Sequence, residues 1–134
     1  MLWLFLVLCG KRGHGMSYDI RFKVKVEGID EYVVVGYCDA NTTYNVRDMI
    51  VKSTGLEWRN CENNGLCKDI MPYIERGLGE LTRYPQKYRK YEASNGWGTV
   101  ESTIRFFKRI VEEWEFFAKY EGKSLVDVTT FWIE

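Results

Sequence analysis

The chain predicts an α+β fold: a small, mostly antiparallel three-stranded sheet, built from an N-terminal hairpin and a C-terminal strand, packed by two to three helices. Three observations carry that expectation. Residues 18–27 alternate apolar and charged without a break, two later stretches repeat apolar residues at spacings of three and four, and residues 126–132 return to alternation. A chain of 134 residues is long enough to bury one core and too short for two. No internal repeat or low-complexity segment interrupts it, so residues 16–134 are expected to form one α+β domain.

Residues 1–15, MLWLFLVLCGKRGHG, stand apart. The apolar run Met1 to Cys9 falls well short of the roughly 20 residues needed to span a bilayer. Lys11 and Arg12 follow the run instead of preceding it, no small-residue cleavage site appears, and Leu8 stands where a lipoprotein signal wants a small residue before Cys9. The codons for Lys11-Arg12-Gly13 can spell a purine-rich ribosome-binding tract just ahead of Met16. Residues 1–15 are therefore expected to be a mistranslated upstream leader, with a weak signal or anchor as the alternative.

Charge and composition exclude more than they select. The 19 Lys+Arg and 19 Asp+Glu balance, so net charge implies no partner. Starting at Met16 would remove Lys11, Arg12 and His14, the only histidine, and with it the commonest general base and metal ligand. Cys38, Cys61 and Cys67 contain no C-x-x-C pair and lack zinc-finger spacing. Idle or buried thiols in a reducing cytoplasm are expected, with a Cys61–Cys67 disulfide if the protein is exported. Neither metal nor cofactor is expected.

In order along the chain, Tyr18, Ile20, Phe22, Val24 and Val26 mark the dry face of a first strand, and Asp19, Arg21, Lys23, Lys25 and Glu27 its wet face. Glu27-Gly28-Ile29-Asp30 supplies a turn into a second strand over Glu31 to Cys38. Asn45 is placed to cap a helix, with Asp48 three residues on and Tyr44 stapled onto Met49, and Gly55 ends that helix. Residues 56–65 read as a loop whose Trp58 tucks against the core. Leu66, Ile70, Ile74, Leu78 and Leu81 mark a second helix, expected to begin near Asp69 with Pro72 in its first turn. Pro85 opens a short helical turn. The longest helix is expected over about residues 99–121, on a stripe of Val100, Ile104, Phe107, Val111, Trp114 and Ala118 widened by Phe106, Ile110 and Phe117. Gly122 stops it, and Val126, Val128, Thr130 and Trp132 form the third strand.

Two stretches are candidate ligand sites. Asn95-Gly96-Trp97-Gly98 leads into the longest helix, where Gly98 or Thr99 can cap and Trp97 can plug the core. The same geometry would let unbonded N–H groups hold a phosphate or carboxylate, with Asn95 bonding a polar group and Trp97 stacking on a base. Asn41, Thr43, Tyr44 and Asn45 leave the second strand as a polar cluster that capping alone would explain, and that would form a pocket wall if folding brings it near Asn95. A third stretch, Arg83, Lys87, Tyr88, Arg89, Lys90 and Tyr91, mixes cations with tyrosines in a way that suits single-stranded nucleic acid, or a short amphipathic turn with its tyrosines inward. No nucleophile elbow, P-loop or H-E-x-x-H occurs. Of the helical carboxylates, Glu80, Glu101, Glu112 and Glu113 have Lys or Arg three or four residues away and Glu75 has Arg76 beside it, as on a solvated face.

Tyr18-Asp19-Ile20, Asn41-x-Thr43-Tyr44-Asn45 with Met49, Ile74-Glu75-x-Gly77, Pro85-x-x-Tyr88 and Asn95-Gly96-Trp97-Gly98 together resemble a family of small uncharacterised proteins of bacterial prophages and mobile elements. The resemblance covers residues 17 to about 117 and brings no known activity. It implies a host-directed accessory role, including counter-defence. The functional expectation is a non-enzymatic, cytoplasmic accessory protein acting by binding, either inhibiting a host protein or sequestering a small nucleotide-like ligand, with no membrane association. A nucleic-acid-binding module using residues 83–91 and a small enzyme with an unrecognised carboxylate site are the alternatives. Phe106, Phe107, Trp114, Phe116 and Phe117 suggest a homo-oligomer through the last helix.

Overall fold

Strict alternation at the start of the domain becomes the longest strand of the computed structural model, which describes residues 17–134. The expectations for residues 1–15 and for a start at Met16 lie outside the described residues. Strand β1 (Ser17–Lys25) buries Tyr18, Ile20 and Phe22. A turn at residues 26–31 returns the chain as β2 (Tyr32–Val34), antiparallel to β1 with Lys23 opposite Val34. The hairpin forms, yet its second arm is three residues and not the eight from Glu31 to Cys38.

The chain then pairs with β1 again. Strand β3 (Asn41–Thr43) lies antiparallel to the start of β1, with Tyr18 opposite Thr42, so β2 and β3 share one edge of β1. Asn45 does not cap the following helix as expected. Thr43 accepts from the Asn45 N–H at the start of a 3-10 turn (Tyr44–Val46), which runs into α1 (Arg47–Thr54). Gly55 closes α1. The segment read as a loop contains β4 (Glu62–Leu66), an asparagine-rich strand that pairing, not propensity, holds in place.

Helix α2 (Cys67–Arg83) starts two residues before Asp69, which puts Pro72 inside it and not in its first turn. Pro72 is exposed, so solvent can reach the Lys68 carbonyl that loses its donor. Ile70, Ile74 and Leu81 are buried as the periodicity requires. Gly77 is the point where α2 crosses its neighbours: a Cβ there would lie 2.6 Å from Thr54 Cγ2 and 2.9 Å from Phe107 Cε2. Pro85 opens α3 (Pro85–Tyr88), continued by a 3-10 turn (Arg89–Tyr91). Helix α4 (Val100–Tyr120) matches the expected bounds within a residue.

Val126 and Val128 are not strand residues. They belong to α5 (Lys123–Val128), a short helix that seats the chain before β5 (Thr130–Ile133). Strand β5 pairs antiparallel with β1 on one side and β4 on the other. The sheet is thus five-stranded and antiparallel, ordered β2-β1-β5-β4 with β3 also on β1, where three strands were expected. The α+β class holds, and the helices cover one sheet face.

That interface is the core. Trp58, 1% exposed, stands edge-on to Tyr18, Phe106 and Phe131, and Trp114 meets Phe22 edge-on at 5.4 Å. Phe106, Phe107, Trp114 and Phe117 are all buried. Of the aromatics expected to reach outward for an oligomer, Phe116 alone stays on the surface, stacked on Tyr120. No helix among the described residues is long and apolar enough to cross a membrane.

Candidate functional site

Two polar stretches more than fifty positions apart in sequence meet at the start of α4. The chain turns at Ala93–Gly96, where the Gly96 N–H donates to the Ala93 carbonyl at 3.1 Å, and the Asn95 side chain then accepts from the Trp97 N–H at 2.9 Å. Gly96 and Gly98 both take positive φ, +80° and +109°. Gly98 packs so tightly on the β3–α1 connection that a Cβ would sit 2.6 Å from Val46 Cγ1 and 3.1 Å from Thr43 Cγ2. Asn45 closes the corner by donating from Nδ2 to the Trp97 carbonyl at 3.0 Å. Asn41 donates to Asp19 Oδ1 at 2.8 Å, and Tyr44 stacks on Tyr18 at 4.4 Å.

Of the expected ligand residues, Asn41, Thr43, Trp97 and Gly98 line one cleft of about 530 Å³, together with Asp39, Ala40, Thr42, Ser102, Arg105, Phe106 and Arg109. Asn95, Gly96, Tyr44 and Asn45 do not line it. Asn95 and Asn45 shape the corner, and the Tyr44 hydroxyl turns toward Asn60, which donates to it. Trp97 does not plug the core; it is 71% exposed. The plugging indole is Trp58.

The α4 N–H groups expected to await a phosphate are already engaged. The Glu92 carboxylate accepts from the Val100 N–H at 2.8 Å, and Glu101 brings a second carboxylate to the first turn. Thr99 and Ser102 form a reciprocal capping box, and the Thr103 N–H bonds the Thr99 carbonyl. An internal anion therefore sits at the helix dipole.

Arg89 fastens this arrangement, donating to Glu101 at 2.7 and 2.8 Å and to Glu92 at 3.0 Å. Those bonds hold the Glu101 carboxyl below its usual range and push the guanidinium of Arg89 up. The consequence reaches the cleft. Glu101 stands one turn before Arg105 and is its natural i−4 partner, but Arg89 takes it. Among the described residues, Arg105 holds no carboxylate. Arg109 differs: it grips Asp39 through two nitrogens and Glu113 at 3.2 Å, so the Asp39 carboxyl is held below its usual range by the Arg109 hydrogen bonds.

In the basic and tyrosine-rich stretch most side chains have internal partners. Tyr88 is buried and Tyr91 partly so. Arg89 is bonded as above, Lys87 approaches Glu80 and lies over Tyr88, and Lys90 lies over Tyr91. Arg83 lines a shallow groove on α2 with Glu75, Arg76, Gly79, Glu80 and Tyr84. No stacking platform is exposed on Tyr88. The Cys61–Cys67 bridge is not formed, because Cys67 is a buried free thiol, as is Cys38, whereas Cys61 is disulfide-bonded and not the idle thiol expected. Among the described residues no group of three or more His, Cys, Asp or Glu could hold a metal ion.

The cleft-lining cations that sequence reading missed are Arg105 and Arg109. Nothing in the helix pattern separates them from other exposed cations; only the capture of Glu101 by Arg89 marks Arg105 out. Searches of protein-family models, curated proteins and solved structures find no match to this chain.

Proposed function

We propose that this protein acts by binding and not by bond-making, and that its target is another protein, engaged at the cleft between β3 and α4. One observation carries the reading: the fold spends two separate sequence stretches on a corner whose bare indole shares a cleft with Arg105 of α4, a guanidinium that makes no ion pair among the described residues. Exposed Trp and Arg are the side chains most often found to dominate protein interfaces.

Geometry favours a protein over a sequestered nucleotide. Small-molecule sites bury most of their ligand, whereas this cleft has a strand edge as one wall and lies open along it. Phosphate recognition at a helix start is also disfavoured, since the Glu92 carboxylate already accepts from the Val100 N–H there. In a chain that resembles proteins of prophages and mobile elements, such a surface suits an accessory protein that blocks a host component.

Immobilised protein exposed to bacterial lysate tests this. Specific partners should be retained by the wild type and lost by both Trp97→Ala and Arg105→Glu, with circular dichroism unchanged. Retention by both variants refutes the site. Thermal stabilisation by a mononucleotide, abolished in Trp97→Ala, would replace the protein target with a small ligand.

A further inference from the structure

We infer that the cleft receives an extended acidic segment of the partner, which adds as a strand to the outer edge of β3 and sets a carboxylate on Arg105. The inference rests on the proposed protein-binding role and specifies its mode.

Backbone hydrogen bonding fixes which groups of β3 face outward. The Asp19 N–H and C=O are both spent on the other side of β1, on Glu134, at 2.8 and 2.7 Å. In an antiparallel ladder, alternate residues of a strand bond to opposite neighbours. Tyr18 and Ile20 are therefore the residues of β1 that bond toward β3, and the Ile20 N–H does donate to the Ala40 carbonyl at 3.3 Å. Their partners are Thr42 and Ala40. Asn41, opposite Asp19 between them, directs its own N–H and C=O away from the sheet. Its side chain is tied to Asp19, and among the described residues none pairs with that edge.

An exposed edge offering a backbone donor and acceptor is a template for another strand. Here it forms one wall of a cleft whose other wall is α4, presenting Ser102, Arg105 and Arg109. The second wall selects charge. Arg109 is already neutralised by Asp39 and Glu113, while Arg105 has lost Glu101 to Arg89. A carboxylate on the incoming strand would meet Arg105 without displacing an internal partner, and Trp97 lies beside it for an apolar neighbour. A lysine or arginine at that point would meet a like charge that no hydrogen bond or ion pair among the described residues satisfies, since Glu101 acts on Arg105 only at longer range.

The test pans a phage-displayed library of random linear peptides against the full chain and measures the enriched peptides by fluorescence anisotropy. Enriched sequences should share an acidic residue. Their affinity should fall about tenfold or more in Arg105→Ala, the range for one charged hydrogen bond. Asn41→Pro should cause a comparable loss while Asn41→Ala stays within about twofold, because proline is tolerated at an outward-facing edge position but removes the N–H that pairing needs. Peptides that lose affinity in Arg105→Ala and Trp97→Ala yet bind Asn41→Pro as well as Asn41→Ala would overturn strand addition and leave the cleft reading standing. No enrichment, or peptides indifferent to all these variants, would overturn both. A wild-type dimer in sedimentation that Asn41→Pro dissociates would assign the edge to a second copy of this chain and overturn the acidic-segment occupant.

Discussion

Two glycines in Asn95-Gly96-Trp97-Gly98 share positive φ and differ in their surroundings, so replacing each with alanine separates backbone strain from close packing. At Gly96, φ is +80° and a Cβ would meet nothing within 4 Å. The penalty there is conformational alone, about 1–2 kcal/mol. At Gly98, φ is +109°, outside the left-handed helical well, and a Cβ would stand 2.6 Å from Val46 Cγ1 and 3.1 Å from Thr43 Cγ2. Val46 is fully buried and β-branched, so it cannot turn aside without leaving its rotamer. Adding overpacking of about 1–3 kcal/mol to backbone strain gives a total of about 2–5 kcal/mol for Gly98→Ala. Urea denaturation measures both variants. With a slope of about 1–3 kcal/mol per molar, the added overpacking of about 1–3 kcal/mol should make Gly98→Ala unfold at least about a third of a molar below Gly96→Ala. Equal midpoints, or the reverse order, would refute the claim that Gly98 is what clamps α4 onto the β3–α1 connection.

The two tryptophans should separate just as sharply. Trp58→Ala should lower stability by about 3–5 kcal/mol by emptying the core, whereas Trp97→Ala should stay within about 0.5 kcal/mol by the same urea assay. Burial pushes the Cys38 thiol up to about 11 and raises Cys67 as well. Iodoacetamide at pH 8, read by peptide mass spectrometry, should therefore spare both residues in native protein and label both in urea. These thiols ionise at lower pH when unfolded than when folded, so their contribution to stability is whole below the ordinary thiol range and declines as pH rises through it. Asp39 carries the opposite sign. Its folded carboxyl lies below the usual value because of Arg109, so its pairing helps above the ordinary aspartate range and is lost as pH falls. Carbon-detected NMR should find its titration moved upward in Arg109→Ala.

Where one residue pattern sufficed, sequence reading located the element. The alternation of residues 18–26 and the apolar stripe of residues 100–118 gave β1 and α4 nearly to the residue, because each element buries one face and the period follows from backbone geometry. Elements held by their neighbours escaped notice. Strand β4, Glu62–Leu66, contains two asparagines and a glycine and is extended because β5 pairs with it. Strand β3 is three polar residues placed opposite β1. Conversely, Val126 and Val128 alternate as a strand would, but six residues from Lys123 form a helix whose ion pair, Lys123 to Asp127 at 2.7 Å, has helical i,i+4 spacing. Alternation over so short a stretch cannot distinguish the two.

The site was half legible for a related reason. Asn41-x-Thr43-Tyr44-Asn45 and Asn95-Gly96-Trp97-Gly98 are each explicable by local turn chemistry, and most of their residues do serve it: Asn95 bonds its own loop and Thr43 opens a 3-10 turn. What makes a cleft is their meeting, through Gly98 against Val46 and Asn45 against the Trp97 carbonyl, and no local pattern encodes a contact across that many residues. Charge followed the same logic. Counting i,i+4 pairs assigns Glu101 to Arg105 and leaves α4 an ordinary solvated helix, but Arg89 reaches Glu101 from twelve residues away with two bonds of its own. A bidentate guanidinium outcompetes a single helical neighbour for one carboxylate. Arg105 is left over by that competition, so the carboxylate preference proposed for the cleft traces to a salt bridge that lies outside it.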